Sequence, residues 1–208
     1  MCHERKFIFF HIPRCGGTSF EAYFNMHDRA SLYGLHSSGK RVLTLHHLTA
    51  TDLVEEGLLD DLFLKTYFKF TVIRPPFERM ASDFCWQKLH DRHGEFTELS
   101  FPQYLDKAER IMRDARYFEK VHYDHFRPMT DFCIRNGELL VDDILRLDHI
   151  EVDLCRIRDR LGDVALPRLN HARDYSILRT RENIERVEDI YACDKLLYDN
   201  VELLLGRE

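Results

Sequence analysis

The chain of 208 residues contains no Gly-Lys-Ser or Gly-Lys-Thr step, so it lacks the GxxxxGK[ST] loop in which a lysine precedes the hydroxyl residue that holds magnesium. No strand signal ends in an obvious Asp that would serve as a second metal ligand, and magnesium-dependent phosphoryl transfer is therefore disfavoured. There is no CxxC pair and no His/Cys run at metal-ligand spacing. The six cysteines, Cys2, Cys15, Cys85, Cys133, Cys155 and Cys193, are scattered, which indicates neither a zinc site nor a disulfide framework and favours thiols in a reducing cytoplasm. Long apolar runs are missing too. Residues 1 to 13 offer a charged start and a short apolar stretch closed by Pro13, so neither a membrane anchor nor an export signal is expected. Positive charge is not in excess: 30 Lys and Arg stand against 36 Asp and Glu, a net charge of -6, which argues against nucleic acid or an anionic membrane as partner. Repeats, low-complexity tracts and linkers are absent. With 44% hydrophobic residues and 15 Phe, the expectation is one domain over 1–208.

What is present is concentrated in FIFFHIPRCGGTSF, residues 7 to 20. An apolar strand runs into a Pro-Arg-Cys-Gly-Gly turn that opens into a helix. Gly16 and Gly17 permit positive φ and close backbone approach, and the unpaired N–H groups of a helix start converge on any anion placed there. Arg14 adds a fixed positive charge, and Thr18 and Ser19 add hydroxyl donors. A thiol near a helix start can become reactive, but Cys15 is read as a small residue that fits the turn.

Further along, the pattern predicts a helix over about 18 to 28, a loop over 29 to 41, and a strand from Val42 to Leu45 ending at His46-His47. Thr49 with Asp52 resembles a helix start, with a short helix near 50 to 58. FKFTVI, residues 68 to 73, is a second strong strand, ended by Arg74-Pro75-Pro76. Helices are expected from Glu78 to Leu89 and, capped by Ser100, over 101 to 115. A strand from Ile144 to Leu147, a helix from about 149 to 161 and a long final helix from about 181 to 205 complete a more helical second half. Alternating strands and helices imply an α/β fold: a central parallel sheet flanked by helices. Such strands deliver their C-terminal ends to one edge, where ligands bind. The 13-to-19 loop, His46-His47 and Arg74 are all expected there, with Ser82 close by in the helix that follows Arg74.

At these residues the sequence resembles the carbohydrate sulfotransferases that include the heparan 2-O and chondroitin enzymes. The motifs are FIFFHIPRCGGTSF, LHHLTATDL and FTVIRPPFERMASDF; HFRPM, DDILRLDHIEVDL, LPRLN and RVEDIYACDKLLY follow in the same order. The resemblance implies a P-loop-like sulfotransferase fold and transfer of a sulfuryl group from 3′-phosphoadenylyl sulfate (PAPS) to a hydroxyl, without a metal. Carried over, Arg14, Cys15, Gly16, Gly17, Thr18 and Ser19 would hold the 5′-phosphosulfate, and Arg74 and Ser82 the 3′-phosphate. His47 matches the catalytic base, with His46 as the fallback, and Arg14 would assist departure of the phosphate. Arg168, Asn170 and Arg173 would close over the donor, and His122 and His125 would lie near the acceptor.

Three positions depart from the family. Arg14 stands where lysine is usual, Cys15 where Thr or Ser is usual, and Pro75 where Asp commonly follows the strand-end arginine. A guanidinium stays protonated, so Arg14 acts through charge and hydrogen bonds alone. These departures keep two other readings in play: a divergent P-loop-like kinase, and a non-catalytic nucleotide-binding module. The acceptor is expected to be a saccharide or small metabolite in the cytoplasm. Lys107, Arg110, Arg113, Arg116 and Lys120, diluted by acids, read as a solvated helix face.

Overall fold

The computed structural model describes residues 1–39, 41–167, 169 and 174–207. Seven strands are described: β1 (Phe7–Phe10), β2 (Leu35–Ser38), β3 (Arg41–Thr44), β4 (Phe68–Ile73), β5 (Ile134–Arg135), β6 (Glu138–Leu139) and β7 (Asp143–Arg146). The helices are α1 (Gly17–Tyr23), α2 (Ala50–Glu55), α3 (Asp61–Thr66), α4 (Pro76–His90), α5 (Phe101–Arg113), α6 (Thr130–Cys133), α7 (Ile150–Arg156), α8 (Arg158–Leu161), α9 (Arg181–Ile190), α10 (Ala192–Asp199) and α11 (Val201–Leu204). The fold is α/β, with a central parallel sheet flanked by helices.

Three strands form that sheet in the order β1-β4-β7. Phe7 pairs with Phe68 and Phe10 with Thr71, while Phe70 pairs with Asp143 and Ile73 with Arg146. Side chains alternate across a strand, so each strand feeds two cores. Phe7, Phe9, Phe70, Val72 and Leu145 pack with Phe20 of α1 and Leu161 of α8. Ile8, Phe10, Ile73 and Ile144 pack on the opposite face with Leu43, Leu53 and Phe132. A third cluster, built by α4, α5 and α9 around Tyr104, Phe126 and Tyr191, lies beside the sheet. The parallel register brings the C-terminal ends of β1, β4 and β7 to one edge, where the chain continues as His11, Arg74 and Leu147.

Several expectations change. β3 is not part of the parallel sheet; it pairs antiparallel with β2, which lies within the expected loop. His46 and His47 therefore reach the edge from a hairpin, in a 3-10 turn over Leu45–His47. The first helix stops at Tyr23, and Asn25 takes a left-handed φ of 51°. The long final helix is three segments. Its first break falls at Tyr191, whose buried hydroxyl donates to the Phe126 carbonyl at 3.0 Å. Tertiary anchoring of that ring overrides a helical period that would otherwise run on. The helix expected over 149 to 161 is likewise split at Ile157 and ends at Gly162, φ 79°. The β5–β6 hairpin turns through Asn136 and Gly137, both at positive φ; the two strands are too short to carry a periodic signal. Thr49 and Asp52 do form a reciprocal capping box on α2, and Ser100 forms one with Gln103 on α5.

Candidate functional site

The strand ends open onto one cleft of about 1530 Å³. Its lining includes Arg14, Gly16, Gly17, Thr18 and Ser19 from the first loop, His46 and His47 from the hairpin, and Arg74 and Ser82 from the β4–α4 junction. Three chain segments are thus brought together that lie up to 68 residues apart in sequence.

The first loop is shaped by its backbone. Arg14 sits at φ 66° and Gly16, the N-cap of α1, at φ 85°. No side chain caps this helix; the Ser19 N–H donates to the Gly16 carbonyl at 3.1 Å, and Gly17 and Thr18 of its first turn line the cleft. Gly17 is required by packing as well: a Cβ there would fall on the His11 ring. Cys15 takes a different course from its neighbours. Its backbone N–H donates to the Ile12 carbonyl at 3.2 Å, and its thiol turns into the core, 3.9 Å from Met129 Sδ. Burial pushes that thiol up to about 11, so it is neither a reactive nucleophile nor part of the cleft lining.

Arg14 donates from Nε and Nη2 to Ser82 Oγ at 3.3 and 3.1 Å, with its guanidinium 5.5 Å from the centre of the Trp86 ring. Arg74 lies alongside, its Nη1 3.5 Å from the Arg14 carbonyl and its guanidinium 5.7 Å from the Tyr175 ring. Residues matched to opposite ends of the donor are therefore in direct contact. Burial is the main influence on Arg14 and lowers its pKa, with Asp83 opposing; the guanidinium remains charged.

A buried arginine holds this edge in place. Arg79 of α4, 1% exposed, donates to the carbonyls of Pro13 (3.3 Å), His125 (2.7 Å) and Arg127 (2.7 Å) and pairs with the buried Asp194 at 3.5 Å. Asp194 in turn accepts from the backbone N–H groups of Met129 and Thr130. The first loop, the 125–127 turn and α10 are thereby tied to one side chain.

His47 is 8% exposed, and its Nδ1 lies 2.9 Å from Asp124 Oδ2. Burial pushes the imidazole down to about 4, Asp124 opposing. Burial alone would raise Asp124; the His47 imidazole beside it more than reverses this and holds the carboxylate below its ordinary range. An ionised carboxylate can only accept, so Nδ1 carries the proton and Nε2 keeps its lone pair. His46 is different. Its ring stacks on Tyr33 with centroids 4.4 Å apart, and burial followed by the neighbouring His47 and His11 drives its pKa far down. Of the two, His47 has a carboxylate behind it.

Sequence reading does not reach the groups that orient these side chains. Asp124 supports His47, Glu21 sits 2.8 Å from His11 Nδ1, and Asp83 sits 2.6 Å from His125 Nδ1 and accepts from Tyr104. All three carboxylates are buried. The only available signal was an acid within a short aromatic stretch, as in HYDHF. His122 and His125 both line the cleft, whereas Arg168, Asn170 and Arg173 lie outside the described residues. In the basic stretch, Lys107 and Lys120 pair with Glu95, Arg113 with Asp114 and Arg116 with Glu119. No helix among the described residues is long and apolar enough to cross a membrane.

No curated protein and no solved structure matches the chain. The model described as "Sulfotransferase family" matches residues 1–199, a span that contains the whole cleft edge from β1 to α10. The chain belongs to the sulfotransferase family.

Proposed function

We propose that this protein, as one sulfotransferase domain, moves a sulfuryl group from PAPS to a hydroxyl of a carbohydrate or small metabolite, with His47 as general base. The observation that carries this reading is the shared cleft. The Gly16-Gly17 helix start, the Arg74/Ser82 pair and the carboxylate-backed His47 all line it. Ligand pockets are typically roughly 300 to 1,000 Å³, and this larger cleft has room for a nucleotide and an acceptor together.

In the proposed displacement, the acceptor oxygen attacks sulfur as its proton passes to Nε2 of His47. The bond from sulfur to the bridging oxygen breaks, and that oxygen leaves on the 5′-phosphate of adenosine 3′,5′-bisphosphate. The α1 N–H groups, Thr18, Ser19 and Arg14 stabilise the charge that grows there. Arg74 and Ser82 hold the 3′-phosphate, and the Ser82 hydroxyl exchanges Arg14 for a phosphate oxygen when the donor binds. A sulfuryl group carries less negative charge than a phosphoryl group, so fixed donors serve where kinases use magnesium. Cys15 has no part in this, because both its thiol and its N–H are engaged elsewhere.

Incubation with ³⁴S-labelled PAPS and an acceptor library, read by mass spectrometry, tests the proposal. A product heavier by one labelled sulfate is expected. Binding of adenosine 3′,5′-bisphosphate with no sulfated product would mark a non-catalytic nucleotide module, and magnesium-dependent turnover of ATP would mark a kinase.

A further inference from the structure

We propose that His11, His46 and His47 form a binding site for a divalent transition metal, Zn²⁺ above all, and that its occupation shuts off proton transfer by His47. One ring nitrogen of each lies within 4.8 Å of the other two. The ring centroids are 4.3 Å apart for His46 and His47, 4.9 Å for His11 and His47, and 5.5 Å for His11 and His46. Three imidazoles bound about 2.0 Å from a tetrahedral zinc through one nitrogen each have centroids about 5 Å apart. Small side-chain rotations therefore close the site.

The second observation lies behind the rings. His11 Nδ1 is 2.8 Å from Glu21 Oε1, and His47 Nδ1 is 2.9 Å from Asp124 Oδ2. A carboxylate that fixes Nδ1–H sets the tautomer, aims the ring and raises the basicity of the opposite nitrogen, which is how metal-holding histidines are oriented. Both rings so present Nε2. The Gly17 backbone packs directly against the His11 ring, where any Cβ would collide with it, and so helps to fix the ring's position. The Gly34 N–H donates to His46 Nδ1 at 3.5 Å, so the free ring carries its proton on Nε2; His46 gives up this long contact and moves its proton to Nδ1 when Nε2 binds metal. Two carboxylates behind three neutral rings balance the charge of a dication. An all-imidazole donor set suits Zn²⁺ rather than Mg²⁺ or Ca²⁺.

His47, Asp124 and His125 make a second group with ligand atoms within 4.8 Å. That group would place a metal on the Asp124 carboxylate, whose Oδ2 already accepts from Nδ1 of His47. The His11 group keeps both carboxylates where they are.

A metal bound at Nε2 of His47 occupies the lone pair that would take the acceptor proton. Metal capture itself is independent of the role of His47; its effect on turnover rests on the reading of His47 as base. Titration of the full chain with Co²⁺ tests capture through visible d–d absorption. One equivalent with tetrahedral intensity is expected, displaced by Zn²⁺, lost in His11→Ala and His46→Ala and retained in His125→Ala. Loss in His125→Ala with retention in His11→Ala overturns the assignment, as do sulfur-to-cobalt charge-transfer bands or no binding at all. The wild-type protein provides a readout that needs no variant: in ¹⁵N spectra of the imidazole nitrogens, His11, His46 and His47 shift together on addition of Zn²⁺, and shifts confined to other histidines overturn the site. In a sulfotransfer assay, saturating Zn²⁺ lowers the rate by about 10²-fold or more, and a chelator restores it. Zinc held by these rings at full turnover would leave the site standing and remove His47 as the base.

Discussion

Nδ1 of His47 faces Oδ2 of Asp124 at 2.9 Å, across 77 residues of sequence and in a place where both side chains are buried. The carboxylate decides which nitrogen of the ring is free. His47→Ala is expected to lower kcat by about 10²- to 10⁴-fold while the Kd for adenosine 3′,5′-bisphosphate changes little. Initial rates and calorimetry measure the two quantities. Asp124→Asn should lower kcat as well, because an amide presents either an oxygen or an NH₂ to Nδ1 and no longer enforces one tautomer.

The acid limb of kcat/KM should fall near pH 4 rather than near 6.5, because that profile reports the free enzyme and burial holds free His47 down to about 4. Rates from pH 3.5 to 8 check this, and a midpoint near 6.5 would remove His47 as the titrating base.

The same burial couples folding to pH. His47 and His122 are both held down to about 4, chiefly by burial, whereas in the unfolded chain a histidine titrates near 6.5. Between those values the unfolded state binds more protons, so stability falls as pH drops from about 6.5 to about 4. Urea unfolding at pH 7, 6, 5 and 4 should show that decline, shallower in His47→Asn by on the order of 3 kcal/mol over the window. Equal slopes for the two proteins would contradict the buried, neutral state of His47.

Arg74→Ala should weaken binding of adenosine 3′,5′-bisphosphate by about 1.5 to 3 kcal/mol, the range for a hydrogen bond to a charged group. Adenosine 5′-phosphate, which lacks the 3′ group, should bind wild type and variant alike. An equal loss for both nucleotides would place Arg74 elsewhere on the ligand.

Arg79→Met should destabilise the fold by about 3 to 5 kcal/mol, because it leaves the Asp194 carboxylate buried without its arginine. Denaturant midpoints measure the loss. The double variant Arg79→Met/Asp194→Leu should recover part of it, since removing both charges costs less than stranding one.

The parts legible in the chain were those whose cause is local. FIFF and FKFTVI are strands because aromatic and β-branched residues predominate up to a Pro-containing stop; the second has the expected bounds of 68 to 73, and the first ends at Phe10, short of the turn. Thr49/Asp52 and Ser100/Gln103 cap helices through bonds that span three residues. Gly16 announces a left-handed corner because such a φ is open to it. Those signals suffice for an α/β fold with a glycine loop at a sheet edge.

Whatever depends on contacts across the chain was settled by folding. β3 leaves the sheet for a hairpin because β2 offers it a partner, and composition cannot say which strand finds which edge. The last helix breaks where Tyr191 is drawn to the Phe126 carbonyl, 65 residues away. Cys15 turns inward although its neighbours face the cleft. The same holds for chemistry: Glu21, Asp83 and Asp124 acquire their roles only where burial removes water and a histidine nitrogen lies within hydrogen-bond reach, so the sequence names the histidines while the tertiary structure selects what each nitrogen can do.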